Sequence, residues 1–151
     1  MPNLEADDVM GIAQTNGKTP NTVIVSVDKD MVQIPGWHLN PHKQDFPIFI
    51  TEEEADHTFY MQWLGGDSTD GYGGIKGVGP KKAEKILEYD GDPLLGVNMD
   101  NIVLRAYKEA DYTRDQAIAQ ARCARILRAC DWDSELRQVI PWEPRVSGDD
   151  G

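Results

Sequence analysis

Seven of the fifteen residues from 65 to 79 are glycine, in the run Gly-Gly-Asp-Ser-Thr-Asp-Gly-Tyr-Gly-Gly-Ile-Lys-Gly-Val-Gly. Glycine inside a helix or strand gives up the most backbone entropy, so this stretch predicts a structured loop, not a continuing element. It divides the 151-residue chain into two parts with different hydrophobic patterns.

Before the loop the pattern is mixed. Leu4 to Asn16 has helical spacing, with Asn3 as the expected N-cap and Gly17 as the stop. Thr22 to Val27 is a short β-branched run of the kind buried on both faces in a parallel sheet. A short helix is expected over 30–34, stopped by Pro35-Gly36. Residues 37–40 and 46–50 predict two edge strands, flanked by Pro41 and Pro47. Thr51-Glu-Glu-Glu54 is a capping-box pattern opening a helix to Leu64, with Phe59, Tyr60, Trp63 and Leu64 as core candidates. After the loop every element is helical: 81–89 behind Pro80 at the first helical position, then 100–110 and 113–130. The tail from Pro141 is irregular. The order predicts α/β followed by α, cut near Gly65: residues 1–64, residues 65–145, and a short tail over 146–151.

Metal and redox chemistry based on sulfur is disfavoured. Cys123 and Cys130 fall on one expected helix, two turns and roughly 10 Å apart, too far for a disulfide. They are expected reduced and partly buried. His38, His42 and His57 are scattered and form no zinc pattern with them. No apolar run approaches the roughly 20 residues that span a bilayer. Residues 1–10 carry Glu5, Asp7 and Asp8 with no basic segment, so no secretory signal is expected and the setting is expected to be cytoplasmic.

Charge makes the position of the acids decisive. Twenty-six Asp and Glu against fifteen Lys and Arg give a net charge of −11, which opposes phosphate contact unless the acids sit where cations bind. Three acidic sets stand out. Glu5, Asp7 and Asp8 open the first helix, where the helix dipole alone would favour them. Asp28 and Asp30 follow the buried strand at its carboxyl end, where open α/β sheets place ligands. Asp67 and Asp70, three apart in the glycine loop, fit either an Asx-turn or a shared ligand. Seven carboxylates brought together repel one another without cations, and an oxygen-only donor set suits Mg²⁺ or Mn²⁺. Two such ions are the standard device for phosphodiester hydrolysis.

Gly77-Val-Gly79-Pro80-Lys81-Lys82 runs a tight turn into a helix start. Free N–H groups there favour phosphate, whereas lysine in a first turn opposes the helix dipole. Lys81 and Lys82 therefore make sense if an anion is expected, with Lys76 and Lys85 as further contacts of a DNA-binding module, although an ordinary turn with surface lysines gives the same pattern. Arg122, Arg125 and Arg128 recur every three residues on the polar side of the last helix, opposite Ile118, Ala121 and Ile126.

Four segments in this order resemble the 5′–3′ exonuclease and flap endonuclease superfamily, especially its bacteriophage-type members: Glu5-Ala-Asp-Asp-Val9, Ser26-Val-Asp-Lys-Asp30, Gly66-Asp-Ser-Thr-Asp-Gly71 and Gly74-Ile-Lys-Gly-Val-Gly-Pro-Lys81. The similarity runs to about Pro144, through Ile140-Pro-Trp-Glu-Pro144. The resemblance implies the C-terminal part of a PIN-like α/β domain followed by an all-α helix–three-turn–helix domain. It implies that Glu5, Asp7, Asp8 and Asp28 surround one metal, with Asp30, Asp67 and Asp70 at a second that Asp28 can share. Asp28 and Asp30 are the acids it places at the chemistry. Gly77, Val78 and Gly79 would offer backbone groups to a DNA phosphate beside Lys76, Lys81 and Lys82, with K⁺ a candidate at the same hairpin. The implied activity is hydrolysis of DNA from 5′ ends or flaps, with an RNA–DNA hybrid as a second substrate, in a bacterial or phage-infected cell.

The family also has an N-terminal portion of the PIN-like domain, with a further strand and a helical arch, that this sequence lacks. Residues 1–64 are therefore expected to need a separate N-terminal polypeptide, or the rest of a longer chain, for a finished domain and full activity. The contrasting expectations are a non-catalytic duplex-DNA-binding module built on the hairpin and, more weakly, a PIN-type ribonuclease.

Overall fold

The computed structural model describes residues 4–18, 21–88 and 98–145. The chain forms two compact units, one of residues 1–58 with 126–141, the other of residues 59–125 with 142–151. The division is discontinuous in sequence, with residues 126–141 grouped with the beginning of the chain.

The first unit holds α1 (Ala6–Thr15), β1 (Val23–Val25), a 3₁₀ turn at Lys29–Gln33, β2 (Gly36–Leu39), β3 (Ile48–Ile50) and the opening of α2 (Glu52–Gly65). A second 3₁₀ turn at Ala129–Asp131 leads into β4 (Trp132–Asp133) and β5 (Gln138–Val139). The main sheet has the order β1-β2-β3, with β1 parallel and β3 antiparallel to β2. Residues 36–39 are thus the centre of the described sheet, not an edge. The expectation of a strand buried on both faces is also corrected: Ile24 is buried, but Val23 and Val25 are exposed. Ile24 packs with Met31, Ile34 and Ile126 into a small core.

The returning segment is stitched to this unit by side chains. Ile126 N–H donates to Gln33 Oε1 at 2.9 Å, Leu127 N–H to Asp8 Oδ1 at 3.0 Å and Ala129 N–H to Thr15 Oγ1 at 2.7 Å. Backbone donors used in this way cannot continue a helical ladder. That is why the last helix, α5, covers only Arg114–Ala124 and not 113–130. Cys123 and Cys130 therefore do not share a helix, and both thiols are exposed. Arg128 is buried: its guanidinium pairs with Asp56 at 2.8 Å and donates to the Gln33 carbonyl at 2.7 Å.

The second unit contains the rest of α2, then α3 (Pro80–Glu88), α4 (Met99–Glu109) and α5. Its core is aromatic: Phe59, Tyr60, Trp63, Tyr72 and Tyr107, with Trp142 packed against it. The buried polar groups are satisfied. Trp63 Nε1–H donates to the Ala117 carbonyl, and the Tyr107 hydroxyl donates to the Trp63 carbonyl. Asp100 accepts from the Tyr60 hydroxyl at 2.7 Å and from Arg145 N–H. Burial pushes the Tyr107 hydroxyl well above its ordinary pKa, so it is a fixed donor.

Candidate metal centre and nucleic-acid interface

In the first unit the acids occupy two places. Glu5 stands at the N-cap position of α1 without a side-chain capping bond, while Asp7 and Asp8 lie in the first turn. The expected cap, Asn3, lies outside the described residues. One oxygen of Asp8 is committed to Leu127 N–H. Asp28 and Asp30 follow β1 as the spacing predicts. Asp28 N–H is held by Ser26 Oγ at 3.0 Å, and Asp28 Oδ1 accepts from Asp30 N–H at 2.9 Å. The two acids are thereby set in one tight turn, Asp28 exposed and Asp30 half-buried.

In the second unit Asp67 and Asp70 converge. Their carboxylates bring oxygens within 4.8 Å of each other. The backbone forces this: Asp67 and Tyr72 form an isolated antiparallel bridge, and Asp70 N–H donates to the Asp67 carbonyl at 3.2 Å. Asp67 Oδ1 also accepts from Thr69 N–H, the Asx-turn bond that the sequence leaves as its alternative. Neither carboxylate has an ion-pair partner among the described residues. Two anionic groups this close, without a cation, raise each other's energy. An all-oxygen pair with spare lone pairs is the donor chemistry of Mg²⁺ or Mn²⁺.

The glycine loop is rigidly fastened at the side that carries this pair. Gly66 and Gly74 both have positive φ, and a Cβ on either would lie 2.3–2.5 Å from backbone atoms of the opposite strand of the loop. Ile75 N–H reaches the Leu64 carbonyl at 2.9 Å, Gly74 N–H reaches Gln120 Oε1 at 2.8 Å, and Lys76 N–H reaches the Tyr112 hydroxyl at 3.2 Å. Gln120 and Tyr112 position the hairpin although neither lies in it; spacing gives no signal for contacts 46 and 36 residues away.

At the tip lie Gly77, Val78 and Gly79, the residues expected to offer backbone groups to a phosphate. Val78 N–H is spent on the Ile75 carbonyl at 3.1 Å, and its side chain is in the core. The N–H groups of Gly77 and Gly79 make no hydrogen bond among the described residues. They lie at the start of α3, whose first-turn N–H groups lack intrahelical partners. Lys76, Lys81 and Lys82 are exposed around them.

The arginine stripe does not form. Arg122 donates to the Trp142 carbonyl and pairs with Glu143 at 2.8 Å, and Arg125 lies 5.1 Å over the Phe59 ring. Arg128 is past the helix end and buried.

A chain with acids after a parallel strand and a glycine hairpin opening a helix fits the class outlined by its four motifs. No protein-family model matches it. Individual proteins do. The chain is 29 % identical to the exonuclease of Escherichia phage T7 and 30 % identical to the exodeoxyribonuclease of Enterobacteria phage T3, each over 95 % of the chain and 57 % of the relative. It is 31 % identical to DNA polymerase I of Rhizobium leguminosarum over 82 % of the chain and 13 % of that protein. The chain is a homologue of these phage exonucleases and spans just over half their length. No helix among the described residues is long and apolar enough to cross a membrane.

Proposed function

We propose that the chain serves metal-dependent hydrolysis of DNA phosphodiesters, acting from 5′ ends or flaps. The paired Asp67 and Asp70 carboxylates, on a chain homologous to phage exonucleases, carry the proposal. Its α/β part is read as PIN-like and its helical part as a helix–three-turn–helix.

Asp30, Asp67 and Asp70 would hold one divalent cation, and Glu5, Asp7, Asp8 and Asp28 a second, with Mg²⁺ or Mn²⁺ as the ions. Such ions supply an activated water and a counter-charge for the leaving oxygen. The protein's own residues hold the substrate. Gly77 and Gly79 amides and the Lys76, Lys81 and Lys82 ammonium groups grip a duplex phosphate, fixing the strand before bond cleavage. K⁺ at hairpin carbonyls would steady the same turn, and an RNA–DNA hybrid would be a second substrate. Because the acids and the hairpin are separate devices, catalysis and binding are separable by mutation.

The test is cleavage of 5′-labelled duplex DNA with Mg²⁺ or Mn²⁺, with Asp28→Asn/Asp30→Asn as the control for contaminating nuclease. Cleavage that disappears in the double variant is expected. Duplex binding without cleavage would make the chain a DNA-gripping module built on the hairpin.

A further inference from the structure

The second unit carries a groove of about 660 Å³ between α3 and α4. Ile75 and Val78, both buried, form its floor. Ile86 of α3 and Ile102 and Ala106 of α4 form its walls, and each is only half-buried. The spacing on α4 explains why. Val103 and Tyr107 are fully buried in the aromatic core. Ile102, Ala106 and Ala110 recur every four residues on a neighbouring face, so the helix carries a second apolar stripe that opens on the groove. From Ile102 to Ala110 this stripe runs about 12 Å, the length of two helical turns or of about four extended residues.

The rim of the groove is cationic. Lys82 and Lys85 stand on the α3 side and Arg105 on the α4 side. Arg105 also borders a second depression of about 530 Å³, which Lys108 and Arg114 line as well. All five cations are exposed, and none makes an ion pair among the described residues. Glu109 is the one acid among the described residues lining either depression. In a chain of net charge −11, this belt concentrates a third of the fifteen Lys and Arg around an apolar floor. Of the five, the proposed function uses only Lys82.

We infer that the α3–α4 groove is a docking site for a short acidic segment of a partner protein, which sets apolar side chains against Ile86, Ile102 and Ala106 and carboxylates against Lys85 and Arg105. Charge complementarity selects this occupant. A wholly apolar segment would strip water from Lys85 and Arg105 and offer no counter-charge. A DNA strand would satisfy the cations, but its phosphates and sugars match no apolar floor, and the bases of a duplex are stacked away from it. An acidic segment with apolar anchors meets both halves of the site: the floor takes the anchors, and the rim fixes the register and selects the charge. This inference does not rest on the nuclease reading, and its test does not use activity.

The probes are two fluorescein-labelled peptides of about twelve residues, rich in aspartate and glutamate, with leucine and phenylalanine at alternate positions in one and at helical spacing in the other. At least one is expected to bind the whole chain in fluorescence anisotropy with a Kd of about 100 µM or tighter. It should slow amide exchange over residues 102–110. Lys85→Glu and Arg105→Glu, both at exposed positions, should each weaken binding at least about fivefold while leaving the circular dichroism unchanged. Serine in place of the peptide's leucine and phenylalanine should weaken it at least about tenfold with the protein untouched. Failure of both peptides to bind overturns the inference; if Arg105→Glu then lowers duplex affinity, the cations belong to DNA. A serine peptide that binds equally well also overturns it, because the rim alone would then be attracting acid. So does a dimer of this chain that Arg105→Glu dissolves, because the groove would then belong to a second copy.

Discussion

His38 shows how one side chain ties stability to pH. Its Nε2–H donates to the Ile34 carbonyl at 2.6 Å beneath the buried side of the sheet. Burial lowers its pKa below the ordinary value, and the bond to Ile34 only partly offsets this. The unfolded chain titrates near pH 6.5, so it binds more protons than the native state just below that point. The stability contribution is complete above about pH 6.5 and is lost as pH falls through the lowered native value. Urea midpoints measured from neutral to mildly acidic pH should fall for the wild type. They should fall less for His38→Gln, which keeps a donor but cannot titrate. Arg128 is the opposite kind of residue: read from sequence as part of a basic surface stripe, it is a buried ion-pair partner of Asp56. Periodicity assumed a helix that had already ended, and no local signal announces the capture of residues 126–129 by Gln33, Asp8 and Thr15. Asp56→Ala should cost about 3 kcal/mol in chemical unfolding, because it strands a buried charge.

At the scale of elements, the local rules worked where the elements are local. The Thr51–Glu54 capping box forms as read, with reciprocal bonds of 3.0 and 3.1 Å, and Pro80 opens α3 at its first position. The glycine loop was legible as a loop, but not its internal closure. Gly66 and Gly74 each need positive φ and have no room for a Cβ. Gly74→Ala should therefore destabilise the second unit by at least about 1–2 kcal/mol and weaken duplex binding, whereas Gly73→Ala, with open space at Cβ, should do neither. Thermal melts and fluorescence anisotropy on the two variants check this pair. β1 was legible as a strand because of its β-branched run; that its outer face is bare was not, since burial depends on what packs there.

Over the whole molecule, a net charge of −11 leaves little general attraction for DNA, so the proposed function requires contact concentrated at Lys76, Lys81 and Lys82. With about three phosphates engaged, duplex affinity should fall roughly 40-fold between about 50 and 200 mM salt. A much steeper slope in filter-binding titrations would require cationic contacts beyond the hairpin. The acids were found from sequence because their positions after a strand and within a glycine loop are unusual for surface charge. Their convergence at Asp67 and Asp70 needed the bridge between Asp67 and Tyr72, which no spacing reveals. The most direct measurement is cleavage and binding of one 5′-labelled duplex by wild type and by Asp67→Asn/Asp70→Asn across a Mg²⁺ titration. Cleavage reduced at least about 100-fold, with duplex affinity unchanged or improved as repulsion of phosphate falls, is the predicted result. Cleavage equal to wild type, or cleavage that persists when a chelator removes the metal, would contradict a metal centre built on these carboxylates.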